Sequence, residues 1–372
     1  MKSITATLTT ATAAMLLSSA SASAQEDTWS TDFSKRTVPL EELMAGGPPK
    51  DGIPAIDRPK FETVKQADRW LGKREPVAVV ELNGEAKAYP LQILIWHEIV
   101  NDVVGETPVV VTFCPLCNTT LAFDRRFDGR VLDFGTTGYL RHSDLVMYDR
   151  QTETWWQQAT GEALIGDYAG SSLTFIGSPV VSWSEFKAQY PLGEVLSRDT
   201  GHPGYADRYG RNPYVGYDAA GSSPWGLFSG KNDDRLPAKE RVVAVELDDE
   251  IRAYPFSSLS EKRVVRDKIG GRRIVVFWAP GTASALDSAT IATSRDVGAT
   301  GVFDRELDGK RLDFEPHGER QFRDIETGSI WNVLGFATAG PLVGRRLNPI
   351  NHGNHFWFAW AAFKPETKVV KR

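Results

Sequence analysis

The chain repeats itself, and no other feature constrains its fold as much. Val77-Ala78-Val79-Val80-Glu81-Leu82 through Ala88-Tyr89-Pro90 returns 165 positions later as Val242-Val243-Ala244-Val245-Glu246-Leu247 through Ala253-Tyr254-Pro255. Phe123-Asp124-Arg125, Asp128-Gly129 and Leu132-Asp133-Phe134 return 180 positions later as Phe303-Asp304-Arg305, Asp308-Gly309 and Leu312-Asp313-Phe314. Gly161, Gly166, Gly170 and Leu173 match Gly335, Gly340, Gly344 and Leu347 at an offset of 174, and Trp183 and Phe186 match Trp360 and Phe363 at 177. The jump from 165 to 180 implies an insertion in the second copy, for which Ala283 to Thr300 is the natural candidate. The copies span 75–191 and 240–366. Two copies of one unit predict two lobes related by an approximate two-fold axis.

Each copy reads mostly as strand, so the predicted class is mainly β (α+β with few short helices). Asn83-Gly84 and Asp128-Gly129 sit between apolar runs and supply the positive φ of two-residue hairpins. Val109-Val110-Val111-Thr112-Phe113 is a candidate buried strand. A short helix is predicted after Pro90, with proline in its first turn. Another is predicted over Ser182 to Tyr190, capped by Ser182 with Glu185 three residues on.

The flanking segments differ in character. Residues 1–24 carry Lys2, an apolar stretch and Ala22-Ser23-Ala24, the pattern of a signal peptide cleaved after Ala24. The apolar stretch is too short to span a bilayer, and no later segment approaches ~18 uninterrupted apolar residues. The expectation is therefore a periplasmic or secreted protein with no membrane anchor. Residues 25–74 form a polar lead-in, with Trp29, Phe33 and Trp70 as anchors. Residues 192–239 form a Gly/Pro/Asn/Asp/Tyr-rich connection whose aromatics should pack across the copies, and 367–372 are a tail. The formal net charge of −5 argues against nucleic acid as the main partner, because phosphate binding needs a basic surface.

The repeat also serves as an internal control. Residues in both copies serve the shared fold, whereas residues special to one copy are candidates for chemistry. Asp124, Asp128 and Asp133 recur as Asp304, Asp308 and Asp313 and so read as scaffold. The only 2 cysteines form Cys114-Pro115-Leu116-Cys117, and the second copy places Trp278-Ala279-Pro280-Gly281 there. His97 becomes Lys262, while His142 and Met147 have no clear counterpart. The first copy thus concentrates two thiols, two imidazoles and a thioether.

Trp96-His97-Glu98-Ile99-Val100-Asn101-Asp102, Phe113-Cys114-Pro115-Leu116-Cys117, Leu145-Val146-Met147-Tyr148-Asp149-Arg150 and Phe356-Trp357-Phe358-Ala359-Trp360-Ala361-Ala362-Phe363 resemble the "domain of unknown function 3179" family. The resemblance covers most of the chain and implies an exported β-rich protein, without a mechanism. The family more often carries Asn where this chain has His142, so the resemblance does not make His142 part of a shared site.

Three readings of Cys114 and Cys117 stand side by side. Thiol–disulfide redox chemistry would use the pair with His97 as activator, on a scaffold other than thioredoxin, since Asn118 to Phe123 reads as strand. Soft-metal binding or delivery would hold copper or zinc on Cys114, Cys117, His97, His142 and Met147. The third is a structural disulfide or buried thiol pair beneath a surface for a small-molecule ligand. The first two predict a redox or metal-exchange partner protein. A cysteine hydrolase with His97 as base is a weaker fourth reading, for want of an oxyanion hole. His352-Gly353-Asn354-His355 offers a ligand pair, but reads first as a turn with solvated histidines before an aromatic strand.

Overall fold

The structure is a computed structural model that describes residues 28–371; the segment read as a signal peptide lies outside the described residues. Strands β1 (Pro76–Leu82) and β2 (Glu85–Pro90) pair antiparallel across Asn83-Gly84. Both turn residues have positive φ, 52° and 84°, as a two-residue hairpin demands. Helix α1 (Leu91–His97) follows at once, with Pro90 as its N-cap, one position earlier than expected. Glu98 ends the helix at φ 59°. Strands β3 (Ile99–Val104), β4 (Thr107–Cys114) and β5 (Thr119–Asp124) then form an antiparallel meander. A longer hairpin of β6 (Phe134–Arg141) and β7 (Asp144–Asp149) leads to β8 (Trp155–Gln157) and β9 (Ala163–Ile165). Strand β10 (Val180–Ser182) returns to β1, and α2 (Trp183–Gln189) begins on the expected capping box of Ser182 and Glu185.

The order recurs further along the chain. Strands β11 (Arg241–Leu247) and β12 (Glu250–Pro255), helix α3 (Phe256–Lys262), and strands β13 (Val264–Ile269), β14 (Arg272–Ala279) and β15 (Ala299–Asp304) follow one another. They are followed by β16 (Phe314–His317) and β17 (Gln321–Asp324), and later by β18 (Gly353–Phe356) and α4 (Trp357–Phe363). Register refines the residue matches. Ile99 faces Thr112 as Val264 faces Phe277, so Cys114 corresponds to Ala279 and Cys117 to Thr282, one residue later than the motif match. Val180 faces Ala78 as Asn354 faces Val243, so Trp183 corresponds to Trp357 and Phe186 to Trp360, three residues earlier than the motif match.

The copies do not keep separate cores. One buried cluster joins Val77, Val79, Trp183 and Phe186 to Val275, Phe277, Phe303 and Trp331. Another takes Phe356 and Phe358 into the cluster that holds Cys114 and Cys117. The connection packs as its aromatics suggest: Tyr209 and Tyr217 are buried, and Asn212 and Gly216 donate backbone hydrogen bonds to Ala289 and Asp287 of the insertion. The described helices are short, and none is long and apolar enough to cross a membrane.

Carboxylates found in both copies have structural partners. Asp124 accepts from Arg126, Asp133 pairs with Arg125, and Asp313 pairs with Arg305. Asp149 is fully buried, accepting from Trp156 Nε1 at 2.9 Å and Thr152 N at 2.7 Å. Asp324 does the same for Trp331 Nε1 at 2.9 Å and Thr327 N at 2.6 Å. Replacing either leaves a buried indole N–H without an acceptor. We expect Asp149→Ala and Asp324→Ala each to cost about 1–3 kcal/mol in urea-induced unfolding, with similar values at the two positions. A loss confined to one of them would contradict this shared role.

Candidate functional site

Cys114 is the last residue of β4, and Pro115 to Asn118 form the turn into β5. Asn118 N donates to Pro115 O at 3.2 Å, and Asn118 takes φ 51°, so the chain reverses within four residues and brings Cys117 back over Cys114. Two contacts from distant segments and one from the adjoining strand pin this turn. Tyr217 Oη donates to Leu116 O at 2.9 Å, Phe356 N donates to Cys117 O at 2.8 Å, and Thr119 Oγ1 donates to Cys117 O at 3.2 Å. Cys114 is 2% and Cys117 0% exposed, and both are free thiols.

The third member is Asp144, at the start of β7 and fully buried. Cys117 Sγ donates to Asp144 Oδ2 at 2.7 Å. Gln157 Nε2 and Ala159 N donate to Asp144 Oδ1 at 2.6 and 2.9 Å, fixing the carboxylate. Single donor atoms of Cys114, Cys117 and Asp144 lie within 4.8 Å of one another. Glu98 is also buried and acts electrostatically on both Asp144 and Cys114.

Burial dominates the electrostatics. It pushes Glu98 up to about 8, with Asp144's charge adding to the effect. Burial likewise pushes Asp144 up to about 6, against the hydrogen bonds it accepts. It raises both thiols, Cys117 well above the ordinary range, and the charges acting on them are the other acids of the cluster. The site is thus four acids gathered away from water.

The two histidines singled out in the sequence lie apart from this group. His97 ends α1, fully buried: Nδ1 donates to Pro54 O at 2.7 Å, and Nε2 accepts from Tyr209 Oη at 2.7 Å. Its ring packs on His202 and Tyr205, and burial pushes it down to about 4. Both nitrogens are therefore engaged away from the thiols. His142 lies in the β6–β7 turn, bonded to Ser229 Oγ at 3.2 Å and packed on Phe363. Met147, on β7, is buried in the same apolar cluster as the cysteines.

Sequence reasoning missed Asp144 and Glu98, yet the repeat carried a signal for Asp144. The offset falls from 180 at Asp133 to 174 at Gly161, so the first copy has extra residues between them. They lengthen the β6–β7 hairpin. Its ladder runs from Phe134 opposite Asp149 to Arg141 opposite Asp144, whereas the second-copy ladder stops at His317 opposite Gln321. Asp144 stands on the extension.

The titrations predict how the metal-free protein responds to pH. Glu98 rises from 4.5 to about 8 on folding, so its contribution is full below pH 4.5 and lost as pH climbs through about 8. His97 and His355, depressed from 6.5 to about 4 and about 3, contribute fully above pH 6.5 and lose it in acid. Between pH 6.5 and 7.5 the loss at the acids dominates, before Lys239, lowered by burial to about 8, begins to offset it. The thermal midpoint should fall between pH 6.5 and 7.5, by up to about 1.4 kcal/mol of stability per pH unit for one group. Glu98→Gln should flatten that slope. A midpoint level across the range, or a slope unchanged in Glu98→Gln, would contradict this account.

No curated protein and no solved structure matches the chain. The family model described as "Protein of unknown function (DUF3179)" matches residues 50–367, a span holding both copies and all four acids of the site, and the chain belongs to that family.

Proposed function

We propose that the first copy holds a metal ion, with Cys114, Cys117 and Asp144 as ligands and Glu98 as a further buried acid acting on them electrostatically. The observation that carries this reading is a buried set of two thiols and a carboxylate whose donor atoms lie within 4.8 Å. Deprotonating four buried acids without a cation is unfavourable, and a cation at their centre reverses the balance. Two thiolates with one carboxylate suit a borderline divalent ion such as Zn2+. Cu(I) would rest on the thiolates alone.

The second copy supports the reading by contrast. Arg263 stands where the first copy has Glu98, with φ 62° against 59°, and its guanidinium donates to Gly318 O and Gln321 O of the short hairpin. Where the second copy supplies its own cation, the first gathers anions. The redox reading has less support. An exchange-active thiol needs a depressed pKa and access for an attacking sulfur. Here the thiols are buried, raised, and surrounded by acids. His97 then serves to hold the end of α1 rather than to activate sulfur. Burial also favours capture of the ion during folding, in an exported protein, over rapid exchange with a partner.

Protein purified without chelator should carry close to one equivalent of zinc or copper by elemental analysis. Cobalt substitution should give thiolate charge-transfer absorption. Cys114→Ser, Cys117→Ser and Asp144→Asn should each weaken Zn2+ binding more than about tenfold, or about 1.4 kcal/mol. Affinity should rise with pH between 6 and 8.5 as the ligands lose protons. A protein that binds neither Zn2+ nor Cu(I) at micromolar concentration, with both thiols freely titratable, would sink the proposal.

A further inference from the structure

A cleft between the two copies carries features that the metal centre does not use. It has two chambers of about 350 and 300 Å3 that meet at Phe175, Asn351 and His352. The larger is within the range of small-molecule sites. Leu121, Leu173 and Phe175 of the first copy form one wall, and His352, His355 and Trp360 of the second form the other.

Contrary to the solvated turn read from the sequence, the histidines are built in. His355 lies in β18 and is 2% exposed. Its Nδ1 bonds Thr119 Oγ1 at 2.8 Å, and because that hydroxyl donates to Cys117 O, Nδ1 carries the proton and Nε2 is bare. The ring stacks on Trp360 at 4.7 Å, and the indole is fixed by donating to Thr367 Oγ1 at 2.9 Å. His352 Nδ1 donates to Ile350 O at 2.8 Å, leaving its Nε2 as an acceptor. That nitrogen is buried and has no partner. A buried acceptor left unmatched is costly, so an acceptor of this kind in a cavity wall calls for a donor from outside.

The charges at the rim narrow the ligand. Lys364 pairs with Glu246 at 3.1 Å and is not free to hold an anion, while Glu162 also borders the chamber. Burial keeps both imidazoles neutral. We infer that the larger chamber binds a small, flat, uncharged aromatic molecule bearing a hydroxyl or N–H donor. Its ring lies among Phe175, Leu121 and Trp360, and its donor meets His352 Nε2 once that half-buried ring turns to present the enclosed nitrogen to the chamber.

Phenol, with anisole as the matched molecule lacking a donor, tests this by saturation-transfer NMR on the full chain. Phenol should bind saturably and at least tenfold more tightly than anisole. His352→Phe, which keeps a flat ring and removes the acceptor, should erase the difference while leaving anisole binding as it was. Gly353→Ala offers an independent check, because the added methyl would press on His355 Nε2 and Leu121 and should weaken both probes. No saturable phenol signal, equal binding of the two probes, or a preference that survives His352→Phe would each overturn the inference.

Discussion

The backbone hydrogen bond from Phe356 to Cys117 O, 2.8 Å long, ties the two copies together at the place where the buried acids are gathered. It anchors the turn between β4 and β5 and holds Cys117 over Cys114. It also sets the end of β18, whose His355 then reaches Thr119 in the first copy. Tyr217 clamps the same turn from the inter-copy connection. A four-residue turn with its carbonyls exposed would fray; here distant segments satisfy them. The burial that raises every acid in the site follows from that closure.

The recurring pattern of elements separates what the backbone requires from what the side chains do. Glu98 and Arg263 both take the left-handed conformation, so the strained junction belongs to the scaffold and is no mark of function. Their side chains have opposite charge. In the second copy a guanidinium meets the hairpin carbonyls directly, and no thiol stands nearby. In the first, a longer hairpin brings Asp144 to the thiols. The same fold thus supports a self-satisfied cluster in one copy and an acid cluster suited to a cation in the other.

The interleaving of the copies has a second consequence. Strand β18 pairs with β11 of its own copy while its side chains enter the core of the other. The inter-copy cleft is therefore lined from both halves, and neither half alone would form it. His352, whose Nε2 is buried without a partner, belongs to that wall.

Periodicity, turn residues and repetition in the sequence determined the strand-rich class, the Asn-Gly and Asp-Gly hairpins, the capped helix at Ser182 and the proximity of Cys114 and Cys117. Each of these rests on neighbours within a few residues, where steric and hydrogen-bonding rules act locally. The repeat also separated the scaffold aspartates from the thiols. Asp144 and Glu98 needed the tertiary structure, because a carboxylate becomes part of a buried cluster only when strands distant in sequence enclose it. His97 was misleading for the same reason: it is near Glu98 in the chain, but Pro54 and Tyr209, brought in by other segments, take both its nitrogens. Burial turned His352 and His355 from apparent surface residues into the wall of a cleft. Sequence spacing says which groups share a strand or a turn; only packing decides which of them are removed from water together, and in this protein that removal sets the chemistry.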